Sequence, residues 1–282
     1  MICKTNYHTH STWCDGKNSL EEMIQEAIKE NLKVLGFSSH TMHPFGSNWH
    51  LQPRYTVDYC KEIQTLQKKY KDQIEILIGF EADYLPPISF PEHTRYAEFS
   101  PDFLIGSVHY ITDESLRHDC FTIDGSIEEL EKGIQNCFNG DSKKAVQVYF
   151  ATQRDMINRG GFDIIGHLDV IRKRNNTLHL FNENDSWYKK ELKATAKVVA
   201  KSGLIAEINT GGMARAGLKT PYPSPYFLEL LNQYKVPIMI NSDAHIATQI
   251  AYNFDLAAQI ARNAGYKEIQ YLTKGIWKHI SL

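Results

Sequence analysis

Two histidines one residue apart, His8 and His10, open a series of side chains that could hold metal ions: His40, Glu81, His109, His167, Glu207, and the spaced pair Asp243 and His245. Imidazole and carboxylate together suit zinc, manganese or iron, and the absence of cysteine from the set argues against a structural thiolate site. In an extended strand, residues i and i+2 project to the same side. His8-x-His10 and Asp243-x-His245 can therefore each present two ligands to one pocket. A lone HxH is a weak signal, and a lone His109 or His167 is more often a hydrogen-bonded core or surface residue. What matters is where these residues fall.

They fall at the ends of strands. Continuous apolar runs occupy residues 33–38, 74–80, 102–108, 163–166, 204–208 and 236–240, with a weaker version at ICKTNYH. Unbroken apolarity suits strands covered on both faces, as in parallel sheets. His8 and His10 close the first run, His40 follows GFSS, Glu81 follows LIGF, His109 follows IGSV and His167 follows DIIG. Glu207 sits within the sixth, and Asp243 with His245 follows MINS. Between the runs lie helix candidates. Ser19 and Glu22 form a capping-box pattern ahead of Met23, Ala27 and Ile28, and 57–70, 142–158, 186–201 and 254–264 have helical spacing. The alternation predicts an α/β fold, a distorted (β/α)7 TIM-like barrel over residues 1–282 as a single domain, with 84–100 and 110–125 as loops over the mouth. In such a barrel every strand end opens on one face, where catalytic groups collect.

Composition is consistent with this. The chain has 282 residues, 42% hydrophobic and 23% charged, with a formal net charge of −2. These are globular proportions with no electrostatic pull toward nucleic acid or an anionic membrane. No run approaches the length of a membrane span, and the polar start does not read as a secretory signal. Five scattered cysteines without a CxxC read as free thiols. The expectation is a cytoplasmic protein without membrane or nucleic-acid partners, its oligomeric state left open. His50, His93, His118, His179 and His279 lack strand-end context and read as surface or loop residues. His43 borders the mouth as a candidate substrate contact. Glu207 is either an orienting partner for a ligand or a satisfied core carboxylate.

The motifs HTHSTWCDG, GFSSHT, GFEAD, IGSVH, GHLD, EINT and NSDAH, in this order, resemble the PHP (polymerase and histidinol phosphatase) superfamily. GHLDVIRKR, NTGGMAR and PYPSPYF are further similar to its monofunctional histidinol-phosphate phosphatases. The resemblance implies three divalent ions. His8, His10, Glu81 and Asp243 would hold the first, Glu81 would bridge to a second completed by His109 and His167, and Asp15, His40 and His245 would hold the third. Glu81, Asp243 and His245 become the candidate catalytic residues. The chain departs from many relatives at Ser39, where an aspartate is usual, and at Asp15, where some carry histidine.

Three divalent ions against Asp15, Glu81 and Asp243 would leave about +3, which suits a hydroxide and a dianionic phosphate monoester. The implied reaction is hydrolysis of L-histidinol phosphate in histidine biosynthesis, by a metal-bound hydroxide attacking phosphorus in line. Other PHP phosphoesterases act on nucleotides, polynucleotide ends or phosphotyrosine. A metal-dependent amidohydrolase and a purely structural metal barrel are the remoter alternatives. Arg172 and Arg215 fall just past the fifth and sixth strands as candidate phosphate clamps, with Arg174 as the spare. Asp83 and the loops around His43 and Tyr222 are candidates for contacts to the amine and imidazole of the leaving group.

Overall fold

The computed structural model describes residues 4–111 and 121–282; Cys3, His118 and Cys120 lie outside the described residues. Seven parallel strands stand in sequence order: β1 (Thr5–Asn6), β2 (Val34–Thr41), β3 (Glu75–Asp83), β4 (Phe103–Ser107), β5 (Ile164–Ile165), β6 (Ile205–Asn209) and β7 (Ile238–Asn241). Every neighbouring pair is parallel. The first and last strands meet through a parallel bridge between Thr9 and Ala244, with His10 N–H donating to the Ala244 carbonyl at 2.9 Å. The result is a nearly closed TIM-like barrel, as the apolar runs predict.

The unbroken apolarity of the strands resolves into two cores. On β3, Ile76, Ile78, Phe80 and Ala82 belong to the outer core, while Leu77 belongs to the inner one. Alternation then carries Glu81 and Asp83 to the same inner side as Leu77. Tyr7, Val34, Leu77, Phe103, Ile105, Ile164, Ile205 and Met239 fill the barrel floor. Phe103 lies across two glycines there: a Cβ at Gly36 or Gly79 would come within 2.6 or 2.3 Å of its ring.

Helices Leu20–Lys29, Thr56–Tyr70, Ser142–Arg159, Ser186–Ser202 and Phe254–Asn263 occupy the expected segments, the first with the Ser19–Glu22 capping box formed. The described residues also hold the helices Ile127–Phe138 and Pro225–Gln233, outside the expected segments, and the short turns His93–Tyr96, Asn175–Leu178 and Gly211–Arg215. A further addition is the hairpin Glu268–Thr273 and Ile276–Ser281, turning through Lys274 and Gly275, both at positive φ. Its Leu272 enters the floor, where the Tyr7 hydroxyl donates to the Leu272 carbonyl (2.7 Å) and accepts from the Leu272 N–H (2.8 Å). Among the described residues no helix is long and apolar enough to cross a membrane.

Candidate metal centre

The strand ends bring their polar residues together above this floor. His40 and Glu81 sit side by side in the β2–β3 register. Asp243 follows the end of β7 at φ 53, a left-handed conformation that aspartate tolerates better than most residues. Glu81 lies at the centre. Its Oε1 accepts from the Ser107 hydroxyl at 2.7 Å and stands 2.9 Å from His167 Nε2 and 3.4 Å from His109 Nε2. Its Oε2 lies 2.9 Å from His40 Nδ1, 3.0 Å from His8 Nε2 and 3.6 Å from His10 Nε2. Asp243 Oδ1 is 3.2 Å from His10 Nε2, and Asp15 Oδ2 is 3.1 Å from His245 Nε2.

These residues fit metal ions better than they fit one another. His8 Nε2, His10 Nε2, Asp15 Oδ1, His40 Nδ1 and Glu81 Oε2 are buried without a hydrogen-bond partner. Imidazole nitrogens of His109 and His167 face each other at 3.2 Å. Ligand atoms gather in four overlapping sets: His10, Asp15, His40 and His245; His8, His10 and Asp243; His8, Glu81 and His167; His40, Glu81 and His109. Together these sets comprise the same nine residues that the family resemblance implies as ligands. His40 stands beside Glu81 as well as Asp15, so it reaches two of the sets.

Electrostatics tell the same story. Burial opposes protonation of His8, yet Glu207, Glu81 and Asp243 raise it well above the ordinary histidine value. Burial is likewise outweighed at His40, which Glu81 and Asp15 push up to about 9, and at His109, which Asp83 and Glu81 push up to about 10. Burial would raise Glu81, but His8, His40 and His109 hold it well below the carboxylate range; Arg215 and His8 do the same for Asp243. Carboxylates thus draw protons onto His8, His40 and His109, a local demand for positive charge that divalent cations would meet. Burial and the neighbouring His245 and His40 instead lower His10, and burial with Arg215 lowers His245.

Two carboxylates hold clustered histidines from behind. Glu207 faces His8 Nδ1 at 2.9 Å and accepts from the His167 N–H (2.7 Å), Asn209 Nδ2 (2.8 Å) and Asn241 Nδ2 (2.9 Å). Of the two readings of Glu207, the structure gives the orienting one. Asp83 faces His109 Nδ1 at 2.7 Å and His50 Nε2 at 2.6 Å, and is 1% exposed. It is therefore spent on histidines, not on a leaving-group amine. His50, read as a surface residue, is buried beneath Trp49. Ser39 alternates with inward His40, and its N–H donates to the Tyr59 hydroxyl at 3.3 Å. It is not placed to orient a ligand.

A cavity of about 470 Å³ opens above the centre. Asp15, His40, His109, His167, Asp243 and His245 face it, and Lys17, Trp49, Asp124, Glu129, Lys173, Arg174, Arg215 and Tyr222 contribute its walls. Arg215 lines the cavity, donating from Nη2 to Asp243 Oδ2 at 2.8 Å. Arg172 does not. Its guanidinium is buried against Glu183 (3.0 Å), the Pro221 carbonyl (3.1 Å) and Thr220 (3.0 Å), away from the cavity, whereas the spare Arg174 lines it. His43 also misses the cavity walls, its ring packing toward Tyr96. Asp124 and Glu129, which carry no strand-end signal, supply the acidic wall instead.

The family model for the PHP domain matches residues 6–211. The chain belongs to the PHP domain family. The match covers six of the nine clustered residues besides Asp15, from His8 to His167, and Asp243 and His245 lie past its end. PHP-family relatives align over nearly the whole chain. A Schizosaccharomyces pombe protein named "Probable histidinol-phosphatase" is 30% identical over 95% of this chain and 89% of its own length. The Bacillus subtilis histidinol-phosphatase is 25% identical over 89% of this chain and 97% of its own. In fold, the chain is similar to the crystal structure of the Lactococcus lactis histidinol phosphate phosphatase complexed with zinc, L-histidinol and phosphate. That likeness has a TM-score of 0.74 at 22% identity and covers 99% of this chain and 100% of that one.

Proposed function

We propose that this protein is a metal-dependent phosphoric monoester hydrolase that converts L-histidinol phosphate to L-histidinol and phosphate, in histidine biosynthesis. The observation that carries the reading is the nine-residue cluster opening directly into a cavity of ligand size lined by both basic and acidic side chains. Full-length similarity to proteins named histidinol-phosphatase supports the substrate.

Divalent ions held here, three in this reading and drawn from zinc, manganese or iron, supply Lewis acidity toward phosphoryl oxygens and a water of lowered pKa. The chain's own residues do the rest. Glu81 offers one carboxylate oxygen to the His109–His167 side and the other to the His8–His40 side. Glu207 and Asp83 each hold an imidazole by Nδ1, leaving its Nε2 lone pair turned inward. Arg215 ties Asp243 and His245 into one unit beside the phosphate position. Lys17 adds positive charge at that wall. Glu129 and Asp124, the latter already paired with Lys173 Nζ at 2.8 Å, line the cavity as carboxylates that can meet the leaving group's ammonium, and Trp49 and Tyr222 offer aromatic cover for its imidazole.

The test is selectivity. Metal and arginine read only the phosphate, so a preference between esters must come from the walls. On metal-replete enzyme, kcat/KM for histidinol phosphate should exceed that for p-nitrophenyl phosphate by at least ~10³-fold. Equal turnover of both esters would reduce the assignment to a general phosphoesterase.

A further inference from the structure

The loop between β2 and helix Thr56–Tyr70 reaches the carboxylate behind His109 through His50. His50 is 3% exposed, and its Nε2 lies 2.6 Å from Asp83 Oδ2. Asp83 Oδ1 lies 2.7 Å from His109 Nδ1, and His109 turns its Nε2 toward Glu81 and His167. At the other end, His50 Nδ1 lies 2.5 Å from Ser47 Oγ. That hydroxyl oxygen already accepts the Trp49 and His50 backbone N–H groups, at 3.2 and 3.3 Å.

Proton positions follow from the inventory of donors. With its oxygen occupied by two N–H groups, Ser47 has its own O–H available for His50 Nδ1. His50 then carries its proton on Nε2 and donates it to Asp83 Oδ2. The Asp83 carboxylate accepts a second bond from His109 Nδ1–H, which leaves the His109 Nε2 lone pair facing the centre. Each link fixes the direction of the next.

We infer that His50 is a positioning residue for this site: by holding Asp83 from the loop side, it sets the ring orientation and tautomer of His109. Removing it would leave one oxygen of a buried carboxylate without its donor and free the other to swing from His109. The loop itself is anchored, since Leu51 N–H donates to the His40 carbonyl at 2.8 Å and Trp49 stacks on His50 at 3.7 Å between ring centres. Trp49 also meets His40 and His109 edge-on, at 4.8 and 5.7 Å between ring centres, but it is His50 that bonds Asp83.

The inference rests on the metal-centre reading, and the experiment separates the two. Zinc affinity is measured by chelator competition on metal-stripped full-length protein, for wild type, His50→Gln and His50→Ala, alongside the metal-free melting temperature of each. Glutamine retains an N–H donor for Asp83 and alanine does not. His50→Ala should bind the weakest-held zinc about 10–100-fold less tightly, and His50→Gln should recover to within about 3-fold of wild type, with the two metal-free variants melting alike. Should His50→Ala fail to fold, Asp83→Asn, which cannot accept both bonds, is read the same way and should show the same loss. Wild-type affinity in the alanine variant, or equal loss in alanine and glutamine variants, would overturn the role of His50 alone. A wild-type protein that binds no zinc, manganese or iron would overturn the metal-centre reading, and this inference with it.

Discussion

The floor and the mouth of the barrel are built from the same seven strands, but their inward positions obey different physics. At the floor they are apolar, Phe103 fills the space over two glycines, and Leu272 of the C-terminal hairpin completes the layer. Further along the same strands the inward positions become Glu81, Ser107, Glu207, Asn209 and Asn241, all fully buried or nearly so. Apolar burial is non-directional and tolerates approximate fit. Buried charge is not tolerant: each group needs a partner at a particular distance and angle, or its desolvation is uncompensated. Stability is thus concentrated at one end and chemistry at the other, with Glu207 and its asparagine donors as the layer between.

Three changes would break or sharpen that contrast. Glu81→Gln has the largest expected effect, because it keeps size but removes the charge that faces five histidines. Turnover should fall by at least ~10²-fold, with metal content by elemental analysis dropping below the approximately three ions per chain expected of wild type. Near-normal turnover in this variant would mean that the centre is organised around another group. Leu272→Ala probes the floor: a fully buried leucine truncated to alanine should cost about 2–5 kcal/mol in denaturant unfolding. The folded fraction should still turn over within about 2-fold of wild type. If its kcat collapsed while the fold persisted, floor and mouth would be coupled far more tightly than their separate cores indicate.

The smallest effect concerns a charge pair at the floor end. His93 Nε2 lies 2.7 Å from Asp163 Oδ2, and this bond raises the His93 pKa despite partial burial. A raised folded-state pKa means the contribution is fully present below about 6.5 and is lost as pH rises through the folded value. His93→Gln should therefore melt lower than wild type at pH 6, by no more than about 2 °C for so exposed a pair, and the two should converge at pH 9. A gap that widens toward pH 9 would contradict the assigned direction.

Much of this contrast was legible beforehand. Parallel strands announce themselves as unbroken apolar runs, and every run here but the sixth, which holds Glu207 within it, stops at or just before a residue able to bind metal. That regularity carried the barrel order, the strand ends and eight of the nine clustered residues, while Asp15 came only through the family resemblance. What the sequence concealed lies in loops, where no periodicity links a side chain to its partner. His50 reaches Asp83 across 33 positions, and Arg172 turns to Pro221 across 49. Asp83 shares the strand face of Glu81, so its inward direction was readable, but its engagement by two histidines was not. Helix Ile127–Phe138 did carry a signal, since Ser126 caps it by accepting from the Glu129 N–H and Asn139 and Gly140 close it at positive φ. Alternating polar and apolar residues around Lys274-Gly275 were the corresponding sign of the hairpin.

The contacts of the first strand also bear on how the enzyme is made. Tyr7 is bonded to Leu272, and Thr9 pairs with Ala244, so the segment carrying His8 and His10 is held by residues 235 and more positions later. A ribosome therefore releases these two histidines long before it has synthesised what locates them. Such distant pairing makes closure of the barrel a late and comparatively slow event. Assembly of the complete metal centre must consequently follow translation, drawing its ions from the surrounding pool once the ring of strands has shut.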